Sequence, residues 1–316
     1  MKKIKITKKM LYKGLILSGI LIIAAFLLFQ ASDSQRPNVF DGSITTAQKF
    51  DFLKKWVPDQ AVFIAVADIQ RLSATPYLKK FFEEGLLKGD DQTIVAIRSM
   101  LFGDDGLSML VFSGDLGEEK AGPQFNIIVQ DDFVQKEFLE SVKQELAKQG
   151  ASLDSDLVGK IRIYWQAGME EPFAFSLPDK KHLLIGTKDS LIKILTNVDQ
   201  EKNFDFETKD SSFFGRLTSS ANLQQYLPPQ IASLTLATFT TDDQGRIKIS
   251  LYLPDMNQAK NLEMFLLGMK ALYMLQMQNQ QAEQEVFGAI AISSQNNVVI
   301  IEAPLEELIK VSLQAR

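Results

Sequence analysis

Residues 231–253 carry the sequence IASLTLATFTTDDQGRIKISLYL. Two segments rich in β-branched and apolar residues, Ile231–Thr240 and Arg246–Leu253, flank the polar stretch Asp242–Gly245. Aspartate and glycine favour tight turns, because aspartate bonds to its own backbone and glycine tolerates a positive φ. This stretch therefore predicts a β-hairpin, and with it an antiparallel sheet, in the C-terminal part of the chain.

The segments around the hairpin alternate between predicted helices and strands. One short helix is predicted before the hairpin, and a long helix, two strands and a final helix are predicted after it. Their predicted bounds are Phe213–Leu217 for the short helix, Met256–Gln280 for the long helix, Val286–Ser293 and Val298–Glu302 for the two strands, and Pro304–Gln314 for the final helix.

Residues 46–200 show the same mixture of elements. Apolar residues recur at helical spacing after Asp131, and Gly150 ends that helix. Further helices are predicted at 46–56, 75–85, 91–101 and 189–195, and strands at 61–67, 107–113, 125–130, 160–165, 172–177 and 182–186. Together the two parts predict an α+β fold, in which antiparallel sheets carry helices on one face.

Short similarities connect the two parts of the chain. In each part a Val-Pro or Leu-Pro segment precedes a predicted strand, and an apolar strand is followed by a helix containing Leu-Ile-Lys. The matching segments are 56–61 with 226–231, 182–185 with 298–301, and 191–193 with 308–310. Because the matches keep the same order, they predict a degenerate duplication, with a first α+β half at 46–200 and a second at 201–316.

The N-terminal residues have the pattern of a membrane anchor. Residues 1–13 contain six lysines and no acid, and residues 14–31 contain no charge. A helix of that length covers about 27 Å, close to the ~30 Å hydrocarbon core of a bilayer. A cleaved signal peptide is the alternative, but no candidate cut has small residues at both required positions. We expect a basic tail at 1–13, a transmembrane helix at 14–31 and a stalk at 32–45.

Charge predicts the orientation and excludes one class of partner. Basic flanks stay in the cytoplasm, so we expect a single-pass inner-membrane protein with a cytoplasmic N-terminus and an extracytoplasmic bulk. Beyond residue 13, 28 basic residues face 39 acidic ones, a net charge of −11, which argues against nucleic acid as a partner. The expected partners are the membrane, through residues 14–31, and other envelope proteins.

Ser190 and Lys193 match the Ser-x-x-Lys pattern, in which a lysine one helical turn later can take the serine proton. No Lys-Thr-Gly occurs later in the chain, and Glu307 stands where the second half would need the serine. We therefore interpret this segment as helix packing. The pair supports only an alternative function, a serine-dependent hydrolase of cell-wall or peptide substrates. His182 is the single histidine, and we expect it on the surface, with no metal site and no cofactor.

The long helix at 256–280 has apolar side chains nearly all round it. Such a helix has to be buried on most of its circumference, so the first expectation is a central core helix. The alternative is an adaptable apolar interface, for a partner or for oligomer formation, because methionine-rich surfaces repack around varied partners. The residues of that interface would be Met264, Phe265, Met269, Leu272, Met274 and Met277.

Residues 56–69 (WVPDQAVFIAVADI) and residues 173–187 (FAFSLPDKKHLLIGT) resemble bacterial envelope proteins known only as a domain of unknown function. The resemblance implies one N-terminal anchor, an α+β extracytoplasmic region and no transferable catalytic residues. We therefore expect a non-enzymatic, membrane-anchored, extracytoplasmic binding or scaffold protein of the bacterial envelope. A carrier or chaperone for apolar ligands, using residues 256–280, is the second alternative.

Overall fold

The hairpin predicted at residues 231–253 forms two neighbouring strands of a large antiparallel sheet. Leu236–Thr241 pairs with Arg246–Tyr252, and Phe239 lies opposite Ile249. The computed structural model describes residues 45–73, 108–115, 124–131, 135–148, 150–169, 172–198, 211–220, 231–241, 245–276 and 281–305, together with isolated positions between 200 and 229.

The described residues form twelve strands and six α-helices, numbered here in chain order. The strands are β1 Phe63–Ala67, β2 Met109–Asp115, β3 Gln124–Gln130, β4 Leu153–Val158, β5 Ile161–Gln166, β6 Phe173–Ser176, β7 His182–Thr187, β8 Phe213–Thr218, β9 Leu236–Thr241, β10 Arg246–Tyr252, β11 Ala291–Gln295 and β12 Val298–Pro304. The helices are α1 Thr46–Leu53, α2 Ile69–Ser73, α3 Gln135–Lys148, α4 Lys188–Thr196, α5 Met256–Gln276 and α6 Gln281–Ala289, with a 3-10 turn at Lys54–Trp56.

All twelve strands belong to one sheet, in the order β11-β12-β10-β9-β8-β1-β2-β3-β7-β6-β5-β4. Every neighbouring pair is antiparallel. The predicted halves meet at the centre, where Ala65 of β1 lies opposite Gly215 of β8. Outward from that centre the two strand orders correspond, β1-β2-β3-β7-β6 on one side and β8-β9-β10-β12-β11 on the other. The prediction of an α+β fold with antiparallel strands is confirmed.

Helices cover both faces of the sheet, so the prediction of helices on one face only was wrong. Successive side chains of a strand point to opposite faces. On β3, Ile128 packs in a core with Phe50 of α1, whereas its neighbour Val129 packs with Phe138 of α3. The central strands are apolar on both sides, and each side therefore needs its own helical layer.

Two predicted elements have the other secondary structure. Residues 213–217, predicted as a helix, belong to strand β8, which is paired on both sides by β1 and β9. Its Gly215 leaves room for the ring of Phe239, which a Cβ at that position would strike. Residues 286–289, predicted as part of a strand, lie in helix α6, and the strand β11 begins only at Ala291. Residues 213–217 form a strand because they pair with distant strands, and local propensity does not encode such pairing.

Strand β4 was not predicted. Its sequence, LDSDLV, is polar at three of six positions and it lies at one edge of the sheet. An edge strand packs little apolar surface, so it lacks the alternation by which buried strands are recognised.

Several predictions fall outside the described residues. They are the basic tail at 1–13, the transmembrane helix at 14–31, most of the stalk, the helices at 75–85 and 91–101, and nearly all of the final helix at 304–314. Within the described part, no helix has both the length and the apolar character needed to span a bilayer.

Candidate functional site

The first half of α5 is fixed to the sheet. Asp255 caps the helix, its carboxylate accepting a hydrogen bond of 2.9 Å from the backbone N–H of Gln258. Ala259 and Leu262 are buried against Leu253 and Val299, beside the outer strands β11 and β12. The Ser294 hydroxyl of β11 donates to the Glu263 carboxylate. These contacts hold the start of α5 at the sheet edge formed by β11.

The second half of α5 packs against α6. The rings of Tyr273 and Phe287 have centroids 4.9 Å apart. The Lys270 ammonium turns inward and donates to the carbonyl oxygens of Gly288 and Ile290, at 3.1 and 2.6 Å. The only charge between residues 264 and 276 is thus bound to the C-terminal end of α6 and the residue that follows it, and the outward side of this half of α5 carries none.

The outward side of α5 is instead covered with exposed large apolar residues, which we call the α5 apolar face. Single side chains of this kind are common on protein surfaces, but a contiguous set on one helix marks an interaction site. Relative exposure is between 41% and 63% for Met264, Phe265, Leu267, Met269, Leu272 and Leu275, whereas Tyr273, 43% exposed, packs its ring on Phe287 and lies at the border with α6. The expectation of a central core helix is therefore wrong, since only Ala259 and Leu262 of α5 are buried.

Four of the six residues predicted for an apolar interface lie on this face. Met264, Phe265, Met269 and Leu272 are exposed, and Met274 is half-buried beside α6. Met277 lies outside the described residues. Leu267 and Leu275 were missed by the prediction, although their apolar character and helical spacing were visible in the sequence.

Ser190 has a structural partner. Its hydroxyl donates a 2.6 Å hydrogen bond to the side-chain oxygen of Asn126 on β3, and its backbone N–H bonds to the capping Thr187 at 3.3 Å. Asn126 lies opposite Gly186, where a Cβ would collide with the Asn126 oxygen. Glycine at 186 therefore leaves the space through which Asn126 reaches Ser190.

Lys193 is exposed on the last turn of α4, whereas Ser190 is buried. The serine proton is directed at an amide oxygen, which is not a base. The arrangement joins helix α4 to the sheet and offers no support for the serine-dependent hydrolase.

Replacing Ser190 by alanine tests the structural role. We expect Ser190→Ala to lower the free energy of unfolding by about 1–2 kcal/mol, because the buried Asn126 oxygen loses its donor. Lys193→Ala, at an exposed position on the same helix, serves as the control and should change it by less than about 0.5 kcal/mol. The wild-type chain should not react with an acylating serine probe; labelling that Ser190→Ala abolishes would restore the hydrolase.

His182 is buried, contrary to the prediction of a surface histidine. It opens β7 opposite Gln130, and the indole ring of Trp56 lies over it with centroids 6.1 Å apart. Its Nδ1 lies 2.7 Å from a carboxylate oxygen of Asp179. The covering Trp56 comes from the 3-10 turn before β1, a contact of high sequence separation that local sequence does not reveal.

The pKa of Asp179 is held below its ordinary value. Partial burial raises this pKa, but the hydrogen bond to His182, the backbone N–H of Lys181 and the positive charges of His182 and Lys55 lower it by more. The folded state therefore favours the ionised carboxylate. Asp179 contributes stability above the pKa of an unfolded aspartate, about 3.9, and that contribution is lost as the pH falls further.

Asp179→Asn should accordingly be less stable than wild type at pH 7, and the difference should shrink when the pH is lowered below about 4. Urea unfolding at a series of pH values measures both quantities. Asp154→Asn, at an exposed position on the edge strand β4, is a suitable control. A stability difference that stays constant from pH 7 to pH 3 would show that the Asp179 charge has no part in it.

Among the described residues, no three histidine, cysteine, aspartate or glutamate side chains cluster in a way that could hold a metal ion.

No family model matches the chain and no curated protein matches it. Among solved structures, crystal form I of TP0453, from Treponema, is similar with a TM-score of 0.44 and 11% identity, over 87% of this chain and 99% of that one. A likeness at this level carries no functional argument.

Proposed function

We propose that this chain is a non-enzymatic, membrane-anchored, extracytoplasmic binding or scaffold protein of the bacterial envelope, and that it docks through the α5 apolar face. The observation that carries the proposal is the exposure of six large apolar side chains on the outward side of one helix, with the nearby Lys270 charge directed away from them. A folded domain leaves such a surface open when another molecule covers it.

The N-terminal sequence supports the anchored part of the proposal. Six lysines precede eighteen uncharged residues, which is the pattern of a single-pass inner-membrane anchor with a cytoplasmic tail. The folded region would then lie on the outer side, tethered through a short stalk. In that position the α5 apolar face meets other envelope components rather than cytoplasmic ones.

Leu272→Glu tests the docking role of this face. We expect the full-length chain, extracted in a mild detergent, to migrate as an assembly larger than one chain. Leu272→Glu should shift it to the size of a single chain, because a buried unpaired carboxylate is costly at an apolar contact. Size-exclusion chromatography with light scattering measures the shift.

Leu157→Glu is the matched control. Leu157 is 55% exposed and Leu272 is 56% exposed, but Leu157 lies on β4 at the opposite end of the sheet. The control should keep the size of the wild-type assembly. A wild-type chain that migrates alone, or equal behaviour of the two variants, would refute the docking role. Lipid that co-purifies with wild type and is lost only from Leu272→Glu would instead favour the carrier for apolar ligands.

We also infer that the two halves arose by duplication. The corresponding strand orders on either side of β1 and β8 support this, as does the shared sequence pattern of β7 and β12. The similarity of residues 56–61 with residues 226–231 does not, because these precede β1 and β9, which are not equivalent in the strand order. On this view α3 and α5 are counterparts that have diverged, and only α5 has become a docking helix.

A further inference from the structure

Gly268 lies in the middle of the α5 apolar face, and none of the residues that the structure describes packs closely against it. A Cβ built at this position would meet no atom within 4 Å. Glycine weakens a helix interior relative to alanine, so a helix tolerates it where something requires the missing side chain. Met264 and Leu272 lie one turn before and after it on the same side of the helix, and both are exposed.

This arrangement forms a shallow notch between large side chains. Gly268 and the exposed Ala271 form its floor, and Phe265 and Leu272 rise beside it. Small residues at such a position let the backbone of a second helix approach closely, with large side chains of one helix fitting into the spaces of the other. A lipid surface makes no comparable demand for a glycine. The notch therefore favours a helix as the occupant.

The charge and the shape of the α5 apolar face indicate which helix would occupy the notch. The α5 apolar face has both a notch and large side chains that fit one, which is what a two-fold contact between identical surfaces needs. Its outward side carries no charge, so two copies meet there without repulsion. The remaining chain beyond residue 13 has a net charge of −11, which disfavours contact between copies through their other surfaces.

We propose that the α5 apolar face binds a second copy of this chain, with the two α5 helices crossing antiparallel at Gly268. The antiparallel arrangement opposes the helix dipoles favourably and directs the two acidic sheet domains to opposite ends of the contact. It places Met264 of one copy beside Leu272 of the partner subunit. The inference rests on the proposed function, since it names the molecule that occupies the docking face.

Cysteine cross-linking of the full-length chain in its membrane tests this geometry, because the chain contains no cysteine of its own. Under mild oxidation Gly268→Cys should form disulfide-linked dimers at least tenfold more efficiently than the exposed control Leu157→Cys. Met264→Cys and Leu272→Cys should each cross-link poorly alone. When co-expressed with different tags, they should cross-link to one another.

Two results would overturn the proposal. Gly268→Cys cross-linking no better than Leu157→Cys would exclude the second copy. Self-linking of Met264→Cys and Leu272→Cys as efficient as that of Gly268→Cys would exclude the antiparallel crossing. If Gly268→Cys fails to cross-link, its reactivity with a polar maleimide in membranes separates the remaining cases. If the variant is protected from the maleimide, the docking face is covered by another occupant and the proposed function stands. If the variant is labelled freely, the proposed function is refuted as well.

Discussion

Asp68→Ala should lower the free energy of unfolding by about 3–5 kcal/mol, because it removes the buried carboxylate that pairs with the buried ammonium of Lys49. The two side chains are 0% and 4% exposed, and Lys49 Nζ lies 2.7 Å from the Asp68 carboxylate. The same carboxylate accepts hydrogen bonds from the Thr46 hydroxyl and the Arg71 backbone N–H, each at 3.2 Å. This buried network joins α1 to the end of β1 and the start of α2.

The double variant and a surface pair separate this effect from a general loss of contacts. Lys49→Met with Asp68→Ala should be more stable than Asp68→Ala alone, since the buried charge of Lys49 is then removed together with its carboxylate partner. Glu140→Ala breaks the exposed Lys143–Glu140 pair and should cost less than about 1 kcal/mol. Urea unfolding followed by tryptophan fluorescence measures all of these. A loss for Asp68→Ala as small as that for Glu140→Ala would mean that Lys49 finds water or another partner.

Phe175→Ala should lower the free energy of unfolding by about 3–5 kcal/mol, as expected when a fully buried aromatic side chain is truncated and leaves a cavity. Phe175 lies on β6, with its ring centroid 5.2 Å from that of Tyr164 and 5.5 Å from that of Phe138 on α3. It is 0% exposed. The substitution removes a ring contact between α3 and the sheet on this face, so α3 should lose part of its protection from hydrogen exchange.

Phe112→Ala is the control for the same chemical change at the surface. The Phe112 ring stacks on Phe125 with centroids 5.7 Å apart, but the side chain is 37% exposed. We expect the free energy of unfolding to fall by less than about 2 kcal/mol. The Phe112 side chain buries less apolar area on folding, and its truncation leaves no enclosed cavity. If Phe112→Ala and Phe175→Ala lower the free energy of unfolding equally, Phe175 does not belong to a buried core between β6 and α3.

Elements that carry their signal within a few residues could be predicted from the sequence. The hairpin of β9 and β10 has its turn and both strands in one segment, and α3 has apolar residues at helical spacing. β8 could not be predicted in this way, because it is a strand by virtue of pairing with β1, about 150 residues earlier. The second helical layer also depends on which side chains of distant strands share a face.

The apolar composition of the candidate site could be predicted from the sequence, but the packing around it could not. Periodicity showed that α5 is apolar nearly all round, and burial rules then placed it in the core. Those rules do not specify whether the chain itself or another molecule covers the helix. The inward turn of Lys270 onto α6 depends on tertiary contacts. Gly268, a lone glycine within an apolar helix, is the sequence feature that bears on this question.

Methionine oxidation of the wild-type protein in native membranes tests the central claim, that the α5 apolar face is covered by a partner. Met264 and Met269 are 63% and 45% exposed in the single chain, and Met169, far from α5 in sequence, is 36% exposed. With mild peroxide and peptide mass spectrometry, we predict that Met264 and Met269 oxidise several-fold more slowly than Met169. Rates that follow the single-chain exposures, with Met264 fastest, would contradict the account.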